Sequence, residues 1–383
     1  MNKPVYFDYA ATTPVDENVL KTMLPFFSTD FGNPSSVHVW GQKAEAALEL
    51  SRQVCAELLN TTINNILFTS GGSESDNLAL RGSAFHRRKT RDADEIITTP
   101  VEHPAIGNTA RQLRDEFGFK LILLPVDKYG MVDPEDVKRH LTKKTAIVSI
   151  IYGNNEIGTV NPIKEIGKRC QEMGIPFHSD AVQAAAHLHM DMQRDKLNLI
   201  SIGAHKMYGP KGTGLLGMNA TDELLPAQTG GGQEFHLRAG TQNIPLIIGL
   251  SEALSNAQKT VDQRNAKSIA LRNRLIEQVL DEIPNAYLTG HPVNRLPNHA
   301  SFVFDAIDGN RLLMLLDTRG FACSSGSACK VGSPNPSEVL LAMGYKPELA
   351  LGSLRITLGK ESTVEQVDDL VLAIIESIKR IRK

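Results

Sequence analysis

Four cysteines in 383 residues are too few for a disulfide framework, and Cys55, Cys170, Cys323 and Cys329 match no zinc spacing, so no metal is expected. The net charge is only −2, which argues against a nucleic-acid surface held by bulk charge. No apolar run approaches the length of a membrane span, and the opening "MNKPVYFDYAATTP" lacks the apolar core of a signal peptide. Repeats and low-complexity tracts are missing too. With 41% hydrophobic and 22% charged residues, the expectation is a globular, cytoplasmic protein.

At this length one core does not suffice, and two domains are expected. Apolar runs ("NILFTS", "EIITTP", "KLILLPV", "AIVSIIY", "IPFHSD", "LISIGA") alternate with amphipathic stretches such as "NTARQLRDEFG" and "PIKEIGKRCQEMG". That alternation predicts βαβ units around a mostly parallel sheet. It gives way near Leu250 to one long helical tract, followed by "HASFVFDAI", a helical "GNRLLMLLDTRG", "SLRITLG" and a closing helix from about Thr363. The expected division is a large α/β domain over 13–255 and a smaller α+β domain from 1–12 and 256–383.

Ligands of open α/β sheets gather outside the carboxyl ends of the strands, and the suggestive polar residues fall mainly there. Lys206 ends "LISIGAHK", where a desolvated amine loses its proton readily and can form a Schiff base with an aldehyde such as pyridoxal phosphate. A lysine snorkelling from a strand end is the plain alternative. In "TSGGSESDN" the amides about Gly72 and Ser73 would open a helix toward a phosphate, although Ser73 with Asp76 also reads as a capping box. Asp180, with Gln183 three residues on, could face a pyridine nitrogen or simply cap a helix. His103 could stack on a ring and move protons. Asn154, Asn155 and Glu156 follow another apolar run and, alone, are ordinary turn residues. Together these positions describe a pyridoxal phosphate site.

Cys329 lies in "CSSGSACKVGSPNPSEVLLAMG", a loop rich in serine, glycine and proline that ends where Ser337 or Asn335 can cap a helix. An accessible thiol beside Lys330 suits a nucleophile that must travel to its substrate. Cys55 and Cys170 sit in helical patterns and, with Cys323, are expected to be buried packing thiols.

The segments "YFDYAATTP", "FGNPSS", "TSGGSESDN", "VEHPA", "NNEIG", "SDAVQ", "HKMYGPKG", "RAGT", "SSGSAC" and "LRITLG" resemble, in order from about Tyr6 to Gly359, the NifS/IscS-type cysteine desulfurases. The resemblance implies a fold-type I pyridoxal phosphate enzyme with a seven-stranded large-domain sheet, acting as a homodimer. It implies that Lys206 carries the cofactor, His103 stacks on its ring, Asp180 pairs with its nitrogen and Gln183 reaches its phenolic oxygen. Gly72, Ser73 and His205 would hold the phosphate, joined by Thr241 from the other subunit. Asn155 and Arg355 would bind the substrate, Arg355 through its carboxylate. Cys329 would accept sulfur from L-cysteine, leaving L-alanine and a persulfide for an acceptor protein in iron–sulfur assembly or thio-modification. A selenocysteine lyase or another carbon–sulfur lyase of the same fold is the alternative. Two departures stand out. Gly203 replaces a serine usual in the family, removing one phosphate contact. The chain also ends at Lys383, without most of the tail by which some relatives dock an iron–sulfur scaffold.

Overall fold

The computed structural model describes residues 4–219, 224–326 and 335–382. The strands in chain order are β1 Val5–Tyr6, β2 Ile66–Thr69, β3 Glu95–Thr98, β4 Lys120–Leu123, β5 Thr145–Ser149, β6 Phe177–Asp180, β7 Leu199–Gly203, β8 Gly214–Met218, β9 Ala286–Leu288, β10 His299–Phe304, β11 Phe321–Ala322 and β12 Ser353–Thr357. Seven of them form the central sheet in the order β2-β8-β7-β6-β5-β3-β4. β8 runs antiparallel to both neighbours, whereas β3 to β7 pair in parallel.

Helices cover both faces, so the inner strands read as unbroken apolar runs rather than alternating ones. The pleat still sorts them. Val148, Phe177, Ile200 and Ile202 join one core with Leu250 and Leu254 of the helix Ile244–Lys259. Ile147, Leu199 and Leu216 join the opposite core with Leu80 of the helix Gly72–Arg91 and Ile106 of Pro104–Phe117. Of the two edge strands, β4 is partly exposed whereas β2 is buried.

A second sheet, β12-β10-β9, is antiparallel and contributes Phe302, Phe304, Leu354 and Ile356 to a separate core with the helices Val261–Glu282 and Val364–Arg382. β1 pairs with β11, which sends the N-terminus into this second unit.

Three expectations need correction. The long helical tract is two helices broken at Thr260, whose hydroxyl turns back to Asn256 O at 2.7 Å and competes with the helix ladder. β8 was not among the expected strands. Its Gly214 lets two backbones meet, because a Cβ there would come within 2.6 Å of Gly71 C. Cys55 and Cys170 are buried, and Cys323, although half-buried rather than buried, packs against the core of the second sheet. Among the described residues no helix is long and apolar enough to cross a membrane.

Candidate active site

The parallel strands end on one edge: Asp180 closes β6, Gly72 opens the helix after β2, and His103, Asn155 and Lys206 lie in the segments that follow β3, β5 and β7. Lys206 closes a short 3-10 turn, Ala204–Lys206, directly after β7. Its Nζ donates to the carbonyls of Ala10 at 2.7 Å and Ala11 at 2.6 Å, so the N-terminal segment lies over it. Burial, with Arg355 adding to it, lowers the amine to about 8. The preceding His205 places Nδ1 3.1 Å from Thr12 Oγ1, and burial lowers its imidazole to about 4. Gln183 is held in the same way, donating from Nε2 to Ala10 O at 2.8 Å.

Asp180 is buried at the end of β6, where its Oδ1 accepts Val182 N–H at 2.9 Å. Burial raises its carboxyl, while His103 and Lys206 pull it down. His103 caps the helix Pro104–Phe117 by accepting Ala105 N–H on Nδ1 at 3.1 Å. That bond assigns the ring proton to Nε2. Polar atoms of His103, Asp180 and Asp76 all lie within 4.8 Å of one another.

The alternative reading of Ser73 and Asp76 as a capping box does not hold. Gly71 caps the helix Gly72–Arg91 with φ +155° and no side-chain bond, Ser73 lies inside its first turn, and Asp76 is buried. The first amides of this 20-residue helix therefore have no side-chain cap, the condition that favours a bound anion. Gly203 faces that helix start, since a Cβ on it would sit 3.6 Å from Gly72 N.

Arg355 enters from β12. It donates to Asn155 O at 3.0 Å and to Asp8 Oδ1 at 2.8 Å, and its buried Nε has no partner among the described residues. The Asn155 carbonyl also lies 3.2 Å from His299 Nε2. Neighbouring Asn154 is structural, bonding Val101 O and the amides of Glu156 and Ile157. Thr241 is exposed, on a segment that Arg238 ties to Glu74 at 2.9 Å. Cys329 and Lys330 lie outside the described residues; Ser337, as expected, caps the helix Glu338–Ala342.

Four residues of this site were not singled out from sequence: Asp8, the carbonyls of Ala10 and Ala11, and Glu102. Burial raises Glu102 to about 8, and its Oε2 has no partner among the described residues. Asp8 and both alanines lie in "YFDYAATTP", so the motif was visible but its contacts were not.

Residues 5–370 match the family model described as Aminotransferase class-V. A relative from Methanosarcina thermophila, named cysteine desulfurase IscS, is 43% identical and aligns over 100% of this chain and 93% of its own. A solved NifS-like protein superposes with a TM-score of 0.91 at 34% identity, covering 98% of this chain and 100% of that one. A second solved structure, described as SspA in complex with cysteine, has a TM-score of 0.81 at 34% identity and covers 94% and 99%. The chain belongs to the class V aminotransferase family, among the relatives that carry the name cysteine desulfurase.

Proposed function

We infer that this chain is a pyridoxal phosphate-dependent cysteine desulfurase that takes sulfur from L-cysteine and leaves L-alanine. The observation that carries the reading is Lys206, an amine lowered to about 8 at the end of β7, acting on the buried carboxyl of Asp180. The residues present suit the cofactor: an aldehyde-accepting amine, a buried carboxyl, a helix start without a side-chain cap, and Arg355 with an unpartnered buried Nε for a substrate carboxylate. When bound, pyridoxal phosphate supplies an electron sink for charge that develops at the substrate α carbon.

Lys206 would hold the cofactor and, once displaced by substrate, take the α proton. Asp180 would face the ring nitrogen, His103 the ring face, and Gln183 the phenolic oxygen. Gly72, Ser73 and His205 would bind the phosphate, completed in a homodimer by Thr241 of the partner subunit. Asn155 and Arg355 would orient the substrate. The Cys329 thiolate would attack the substrate sulfur, so that an S–S bond forms as the C–S bond breaks. The carbon gains a proton and Cys329 is left as a persulfide for an acceptor protein. His103 would carry the proton between substrate thiol and solvent; His103→Ala should slow turnover while the cofactor stays bound. Residues 13–255 would form the cofactor domain, and 1–12 with 256–383 a smaller domain that brings Asp8, Arg355 and Cys329.

The test is alanine and sulfide formation from L-cysteine with a reductant, comparing native protein with Cys329→Ala. Equal yields of both products from native protein, and neither from a variant that keeps its visible absorption, support the reading. A fully active variant would point instead to a lyase acting directly on its substrate.

A further inference from the structure

Asp76 has no part in the mechanism above, yet it sits under its centre. It is 1% exposed, its Oδ1 has no hydrogen-bond partner among the described residues, and it lies in the same 4.8 Å cluster as Asp180 and His103. The elements packed around it bring further polar groups: His178 on β6, Ser201 on β7, and Glu102 in the turn after β3. None is a cation for Asp76. His178 Nε2 is 3.7 Å from Asp76 Oδ1, but burial lowers that imidazole to about 3, and Ser149 and Ser201 engage its two nitrogens at 2.8 and 2.9 Å. Lys206 acts on Asp180.

Two buried carboxyl groups at this range cannot both hold a charge cheaply in a medium that screens poorly. Their surroundings decide which one ionises. Asp180 has a backbone N–H from Val182 and the pull of His103 and Lys206. Asp76 is raised by its burial and by the repulsion of Asp180 and Glu102, which a hydrogen bond with Ser201 offsets only in part. We propose that Asp76 is the neutral, proton-bearing member of this pair, and that by staying uncharged it leaves Asp180 as the single anion opposite the ring nitrogen of the cofactor. Asp76 is then a positioning residue that acts through Asp180, and the proposal rests on the reading of Asp180 given above.

Infrared difference spectroscopy of the holoenzyme at neutral pH tests it directly. The native protein should show the carbonyl stretch of a protonated carboxylic acid that shifts in D2O. Asp76→Asn should remove it, and Glu102→Gln should remove a separate band. Asp76→Asn should also keep its cofactor and visible absorption. Its melting temperature should match the native value in acid and exceed it increasingly toward alkaline pH. The sign follows because a carboxyl whose native value is raised stabilises the fold when protonated, and that contribution is lost as pH rises, whereas an amide does not titrate. A native spectrum whose only acid band belongs to Glu102, or parallel melting profiles for native protein and Asp76→Asn, would overturn the proposal. The spectrum of the native protein decides even where the variant folds poorly. An Asp180→Asn protein that keeps normal cofactor binding would instead sink the reading of Asp180, and leaves the infrared result on Asp76 intact.

Discussion

Individual side chains at this site are set by burial more than by their neighbours' charge. Lys206 is the clearest case, since burial is the largest cause of its fall to about 8. Its neutral fraction grows roughly tenfold per pH unit below that value and then levels off. Attachment of pyridoxal phosphate to apoenzyme should therefore accelerate with pH up to about 8 and plateau above it, as read by stopped-flow absorbance; a flat profile would contradict a depressed amine. Arg355 acts through its donors. It presents a planar fork with one unpartnered donor, and a charge-assisted bond of this kind contributes about 1.5–3 kcal/mol. Arg355→Lys should raise KM for L-cysteine by roughly tenfold to a hundredfold with a smaller change in kcat. A change confined to kcat would remove Arg355 from substrate binding.

At the level of turns and helices, the departure at Gly203 can be examined directly. A Cβ there would meet its nearest atoms at 3.4 to 3.7 Å, ordinary contact distances, and one of those atoms is Gly72 N. Gly203→Ser should fold normally and retain the cofactor longer. One added hydrogen bond to a phosphate, about 1.5 kcal/mol, slows dissociation by roughly tenfold. A variant that loses cofactor faster would show that backbone amides already fill this place. A second element depends on a buried pair. Arg52 in the helix Val39–Leu58 bonds both oxygens of Glu234 at 2.9 Å, and Phe68 and Phe235 lie 5.0 Å from its guanidinium. The pair anchors a run in which Glu234, Phe235 and His236 all take positive φ. Arg52→Ala should cost about 3–5 kcal/mol by denaturant titration, because it strands a buried carboxylate.

Across the whole molecule, residues of the central sheet and of the second sheet both reach the site. The N-terminal segment pairs with β11 through β1, sends Asp8 to Arg355, and lays the carbonyls of Ala10 and Ala11 over Lys206. Arg355 of β12 grips the Asn155 carbonyl, and His299 of β10 lies beside it. Thr241 is exposed on its own chain, which suits a contact across a homodimer. Light scattering should give twice the 41.9 kDa chain mass, and Thr241→Ala should lose cofactor faster without unfolding. A monomer of full activity would refute both.

Much of this was legible in the residues themselves. Short apolar runs bounded by turn residues marked β2 to β7, because a strand buried on both faces needs apolar residues throughout. The polar residues at their ends were legible for the same local reason, and so was the Ser337 cap. β8 was not, since a strand built around Gly214 and Gly217 is explained only by backbones that approach it from elsewhere. Nor was Asp76, which local spacing assigned to a helix cap and folding placed beside Asp180. Local sequence determined the strands, the turns and the residues that end them, because these depend on neighbours along the chain. Only the tertiary structure decided which groups share a buried space, and hence which amine loses its proton, which donor of Arg355 is left unbonded among the described residues and which carboxyl has no cation. Those outcomes depend on desolvation and on charges brought together from distant parts of the chain.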